Sequence, residues 1–232
     1  MSIPDFSQFE EKIKVTFSHK DILKQAFVHR SYLNENKEFP LGHNERLEFL
    51  GDAVLELVIT DYLYKKFPQK TEGEMTSLRS SLVNSNTLCT VGQQIGINDF
   101  LLLSRGEAKD TGRARQYILA NTMEAIIGAI YSDQGYDEAK RFIIETITPL
   151  MDSIIEGKSW IDAKSLFQEK AQEFEGVTPL YKTIKEDGPD HDKHFTVGVY
   201  LKSDCIAQGE GNSKQDAEQQ AAERALKEKG WQ

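Results

Sequence analysis

Asn44 to Leu55 reads N-E-R-L-E-F-L-G-D-A-V-L, and the apolar run continues through Leu57, Val58 and Ile59. At 3.6 residues per turn, Glu45, Glu48 and Asp52 stand at i, i+3 and i+7 and share one face of a helix. The other faces carry Leu47, Phe49, Leu50, Ala53, Val54 and Leu55, so the spacing predicts a helix buried nearly all round. Carboxylates in that setting repel one another and must be protonated, paired or bound to a cation. Arg46 lies about 100° away round the helix and cannot neutralise three acids. Two readings stand: a solvated acidic edge on a core helix, or a site for a hard divalent cation. Mg²⁺ takes oxygen ligands and needs only one or two carboxylates when substrate phosphates supply the rest.

A second apolar helix, predicted over Tyr117 to Ser132, contains Asn121 and Glu124 at i and i+3. An unpaired buried Glu is costly, so Glu124 is expected to complete the acidic cluster. Gly128 and Ala129 on the same helix allow close helix packing.

Around these two helices the pattern stays helical. Phe6, Phe9, Ile13 and Phe17 form a leading stripe, and Ser18 is the expected N-cap of a helix through Ile22, Leu23 and Phe27. Asn34 to Gly42 reads as loop, and the helix that carries Glu45, Glu48 and Asp52 runs from about His43 to Lys66, before Pro68. Thr71 and Glu74 form a capping box opening a helix from Glu72 to about Gly92. Glu72 itself suits the positive end of that helix dipole. Ser104 to Gln116 reads as a loop with four basic residues, either solvated or in contact with phosphate. A last helix is expected over Asp137 to about Ile155. With no strand pattern, residues 1–156 read as all helical.

Residues 157–159 read as a linker, and from Trp160 the pattern changes. A helix through Leu166, Phe167 and Ala171 precedes three strand-like runs, Pro179 to Glu186, His194 to Leu201 and Cys205 to Gly209. A final helix, Lys214 to Lys229, is rich in Ala and Glu. The order of residues 160–232 is α-β-β-β-α.

Composition pulls the other way. The chain of 232 residues has net charge −9, with 17 basic against 23 acidic residues in 1–156 and 11 against 14 in 157–232. Neither half is basic, so any nucleic-acid footprint must be local. The acidic start lacks a signal-peptide pattern, and no apolar run approaches the roughly 20 residues of a membrane helix. Cys89 and Cys205 are isolated, which argues against a disulfide framework and makes the cytoplasm the default.

The stretch NERLEFLGDAVL resembles the signature of the bacterial ribonuclease III family, and the likeness extends from roughly Phe6 to Gly230. It implies a helical endonuclease domain over 1–156 and a double-stranded RNA-binding domain over 160–232. The activity implied is Mg²⁺-dependent cleavage of double-stranded RNA, with Mn²⁺ a possible substitute. Products would carry 5′-phosphate and 3′-hydroxyl ends with short 3′ overhangs, and precursor ribosomal RNA is an expected substrate. By the same resemblance Glu48, Asp52, Asn121 and Glu124 hold the metal, with Asp52 and Glu124 catalytic. Glu45 and Glu72 support the site, and Phe49 packs across the interface of a homodimer. Asn121 stands where the family pattern has Asp, which leaves open a catalytically weakened RNA-binding regulator that cleaves poorly as the alternative. The second domain would contact RNA through Gln168, Glu169 and Gln172, then Pro189 and His191, then Ser213, Lys214 and Gln215. Modules of this kind touch two successive minor grooves and the phosphates between them. The family usually places two lysines side by side where this chain has Lys214 and Gln215, so weaker affinity is expected.

Overall fold

A computed structural model describes residues 3–157, 160, 162–189 and 193–231. It divides into two compact units, residues 1–160 and 161–232.

The first unit is helical: α1 (Ser7–Ile13), α2 (Lys20–Ala26), α3 (Arg30–Glu35), α4 (Glu45–Lys66), α5 (Glu72–Val83), α6 (Ser85–Gln94), α7 (Arg113–Gln134), α8 (Tyr136–Thr146) and α9 (Met151–Glu156). The α4 and α7 helices form its axis, because neither has a side chain at their crossing. A Cβ built on Gly51 would lie 1.8 Å from the carbonyl oxygen of Glu124, and one on Gly128 would lie 2.1 Å from that of Leu47. Backbone meets backbone there, as only glycine permits. Leu55, Val58, Ile59, Met123, Ile126 and Ile130 fill the core on either side.

Three expectations within this unit are corrected. The helix predicted from Glu72 to Gly92 is two helices, because Asn84 is extended (φ −69°, ψ 160°) and its side chain accepts from the Thr87 N–H to cap α6. The capping box at Thr71 and Glu74 is present as expected. The helix predicted through Ile155 stops at Thr146, and Pro149 sits in a short 3₁₀ turn between α8 and α9, since proline cannot donate to a continuing helix. Ser18 does not cap α2. The carboxylate of Asp133, at the far end of α7, accepts from the backbone N–H groups of Ser18 (2.7 Å) and His19 (2.9 Å) instead.

Burial of Asp133 opposes ionisation, but the donors on Gln134, His19 and Ser18 outweigh it and hold its pKa at about 2. A depressed carboxylate pKa contributes stability that is present above the ordinary value near 4 and lost as pH falls towards 2. Asp133→Asn is expected to lower unfolding free energy by roughly 2 kcal/mol at neutral pH, the range for a hydrogen bond to a charged group. It should also flatten the fall in stability between pH 4 and 2. Denaturant melts across that window check both.

The second unit runs α10 (Ala163–Glu175), β1 (Leu180–Asp187), β2 (His194–Leu201), β3 (Asp204–Gly211) and α11 (Lys214–Lys229). The strands form one antiparallel sheet in the order β1-β2-β3. Phe167, Ala171, Val199, Leu201, Ala221, Ala222 and Leu226 make its core, with Trp231 packed on Phe167. Alanines on α11 let the helix lie flat on the sheet. Trp160, read from the sequence as the start of this unit, packs instead on the core of the first.

Candidate metal centre and RNA-binding surface

The glycine crossing decides which side chains meet. Glu48 stands one turn before Gly51, Asp52 directly follows it, and Asn121 and Glu124 precede Gly128 on the facing helix. Glu48 is half-buried. Burial raises its carboxyl pKa, Glu45 and Asp52 raise it further, and a hydrogen bond from the Asn121 side chain opposes them. Burial, then the charges of Asp52 and Glu48, push Glu124 up to about 8. The structure therefore brings Glu48, Asp52, Asn121 and Glu124 into one interacting group, with Glu45 at its edge. Glu45 is half exposed and lies 4.0 Å from Arg30 and 3.7 Å from His43.

Glu72 is not among the charges that raise Glu48 or Glu124. Its carboxylate accepts from the Thr76 hydroxyl (2.9 Å), a contact within the first turns of α5. Among the described residues, no three His, Cys, Asp or Glu side chains converge closely enough to hold a metal ion as they stand. The donor set nevertheless fits a hard cation. It offers carboxylate oxygens and an amide oxygen from facing helices, and their mutual repulsion is what an added positive charge relieves.

The expectation that α4 is buried nearly all round is corrected. Phe49, Leu57 and Tyr64, at successive two-turn spacings, are 80 %, 57 % and 71 % exposed. They leave an uncovered apolar stripe on the helix that carries the acids. Asn44 was not singled out for a role of its own, yet it is buried. Its amide donates to the Ala26 carbonyl (3.0 Å) and its N–H to that of Val28 (2.9 Å), fixing the start of α4 against the α2–α3 turn.

In the second unit Gln168, Glu169 and Gln172 share the exposed face of α10, opposite buried Phe167 and Ala171. Gln172 donates to the Thr178 hydroxyl (2.8 Å). Pro189 is exposed after Gly188, whereas His191 lies outside the described residues. Ser213 is the N-cap of α11, accepting from the Asp216 N–H (3.1 Å), and Lys214 and Gln215 are exposed beside it. Lys214 stands 4.0 Å from Glu186.

An all-helical unit with acids gathered at a helix crossing, joined to an α-β-β-β-α module, defines the class of helical nucleases that carry an RNA-binding module. Residues 19–151 match the Ribonuclease-III-like family and residues 163–229 the double-stranded RNA binding motif. The chain is 43 % identical over 221 residues to Ribonuclease 3 of Borreliella burgdorferi, covering 95 % of this chain and 90 % of that one. It is 42 % identical to Ribonuclease 3 of Enterococcus faecalis, covering 95 % and 96 %. Its fold is similar to the nuclease domain of ribonuclease III from Campylobacter jejuni, with TM-score 0.57 and 35 % identity over 62 % of this chain and 97 % of that one. The chain belongs to the ribonuclease III family. It is an endoribonuclease acting on double-stranded RNA. No helix among the described residues is long and apolar enough to cross a membrane.

Proposed function

We propose that this enzyme cleaves double-stranded RNA in the cytoplasm with Mg²⁺, or with Mn²⁺ in its place, and processes precursor ribosomal and other transcripts. The observation that supports the reading is the coupling of Glu48, Asp52 and Glu124 across the Gly51–Gly128 crossing. Glu48, Asp52, Glu124 and the Asn121 carbonyl would hold the cation, with Glu45 and Glu72 supporting. When bound, it supplies Lewis acidity at the scissile phosphate and a more acidic water. The protein's own part is to ionise Glu124 on loading and to turn the Asn121 amide so that its oxygen faces inward, releasing its hydrogen bond to Glu48. The products are 5′-phosphate and 3′-hydroxyl ends with short 3′ overhangs.

The apolar stripe of Phe49, Leu57 and Tyr64 suits a two-fold contact between copies, which places one cluster against each strand of a duplex. The Campylobacter jejuni relative has a region involved in dimer formation in its nuclease domain. Residues 1–160 act as the catalytic and dimerising domain and 161–232 as the RNA-binding domain. Within the last, Gln168, Glu169, Gln172, Pro189, His191, Ser213, Lys214 and Gln215 make the contacts.

Asn121→Asp tests the assignment. It adds a negative charge to the ligand set, so the Mg²⁺ concentration for half-maximal cleavage should fall roughly tenfold, equivalent to about 1.4 kcal/mol. Mn²⁺ should rescue the wild type better than the variant. Mapping 5′-phosphate ends on both proteins' products checks the chemistry. A wild type inert with both metals, restored by Asn121→Asp, would make the chain a binding regulator.

A further inference from the structure

Beside the acidic group, α3 and the start of α7 enclose a cleft of about 440 Å³, lined by His29, Arg30, Asn34, Glu107 and Tyr117 among others. Tyr117 lies one turn before Asn121 on α7, and Arg30 faces Glu45, so the cleft opens next to the proposed metal centre. The floor is fixed: His29 donates its backbone N–H to the Leu102 carbonyl (3.1 Å), and the carbonyl of Val28 accepts from the Asn44 N–H.

The hydrogen bonds around His29 determine its tautomer. The Ser31 backbone N–H can only donate, and it donates to His29 Nδ1 (3.3 Å). Nδ1 therefore carries a lone pair and no proton. Ser31 Oγ, 2.8 Å from the same nitrogen, accepts from the Ser104 N–H (3.1 Å) and so turns its own proton towards Nδ1. Burial lowers the pKa of the ring, with the charges of Arg30 and Arg115 acting the same way against Glu107 and Glu45, which accords with an unprotonated Nδ1. The single ring proton is thus on Nε2, which makes no hydrogen bond to any described residue and is the donor the ring offers to the cleft it lines.

We infer that His29 Nε2–H donates to a ribose 2′-hydroxyl of the bound duplex, close to the cleaved bond, and so reads RNA against DNA at that position. The inference rests on the duplex-cleaving reading above. A phosphate is a poorer match, because the cleft sets the cation Arg30 against the anion Glu107, whereas a hydroxyl is neutral and can both accept and donate. The 2′-hydroxyl is the group by which a protein separates RNA from DNA at one site.

His29 also caps α3 through Nδ1, so the test must separate the cap from the donor. His29→Asn keeps a good capping side chain and loses the Nε2 donor; His29→Gln keeps an amide N–H of similar reach and weakens the cap. The full-length protein is titrated without metal against an RNA duplex and against duplexes carrying one 2′-deoxynucleotide at each position around the expected cut. Single-turnover cleavage is run in parallel. For the wild type and His29→Gln, one deoxy substitution should weaken metal-free binding about fivefold, the worth of one net hydrogen bond of about 1 kcal/mol. For His29→Asn the all-ribose duplex should bind about fivefold more weakly and that substitution should cost nothing further, with melting temperature retained. Penalties that multiply in His29→Asn, or a wild type indifferent to every single 2′-deoxy change, would overturn the inference. If the wild type binds RNA but cleaves nothing with metal, the duplex-cleaving reading fails while the metal-free titration still decides the His29 contact.

Discussion

Gly51→Ala is expected to lower the melting temperature by roughly 6–12 °C, equivalent to about 3 kcal/mol of overpacking for a domain of this size. Helix propensity alone points the other way, since alanine is favoured over glycine by about 1 kcal/mol within a helix. The clash wins because its partner is backbone. A methyl at Gly51 meets the Glu124 carbonyl oxygen at 1.8 Å, and no rotamer change can move a carbonyl held in the α7 hydrogen-bond ladder. The helices must part, which carries Glu48 and Asp52 away from Glu124 and should remove cleavage even well below the melting temperature. Gly128→Ala is equivalent from the other side. Circular dichroism melts with cleavage assays at low temperature check this, and an unchanged or raised melting temperature would contradict the crossing.

The second large effect is on chemistry alone. Glu48→Ala or Asp52→Ala should reduce duplex cleavage by a factor on the order of 10³ or more, at least about 4 kcal/mol of transition-state stabilisation. Duplex affinity should hold, because the exposed faces of α10 and α11 are untouched. Metal-free stability should stay level or rise as repulsion between carboxylates is relieved. Glu124 supplies the matching pH signature. Its folded-state pKa is raised to about 8, so the folded chain keeps a proton that an unfolded Glu gives up near its ordinary value. Metal-free stability should then decline as pH rises from about 4.5 towards 8, and Glu124→Gln should flatten that decline. A large loss of stability in Glu48→Ala would instead mark the cluster as a structural network.

The sequence and the structure agree where the determinants are local. The capping box at Thr71 and Glu74, the stop before Pro68 and the three strands of the second unit all depend on residues a few positions apart. Gly128 was legible as a small residue for close packing, but its mate Gly51, 77 positions earlier, only shows as such once the helices cross. The same distance problem hid the clamp of Asp133 on Ser18, 115 residues apart, so a serine with good capping chemistry lost the role. The break at Asn84 could have been read, because Asn is a favoured N-cap residue and an unfavourable one inside a helix, and its side chain caps the backbone N–H three residues on. Leu57 and Tyr64 were not legible as part of an exposed stripe, since apolar residues look alike in sequence whether a core or a second copy covers them, and Phe49 was legible only through the family resemblance. Composition was the poorest guide: a net charge of −9 argues against nucleic acid, and part of that charge is the acidic cluster itself.

If the carboxylates at the α4–α7 crossing hold the divalent cation that cuts RNA duplexes, one titration separates them from a structural cluster. Wild type and Glu48→Ala, each at full length, should be titrated side by side with Mg²⁺ on one long, end-labelled RNA duplex. Cleavage by the wild type should be absent without the cation and rise with its concentration, while Glu48→Ala binds the duplex equally and leaves it intact. Equal cleavage by both proteins, or cleavage by the wild type that persists in excess chelator, would contradict it.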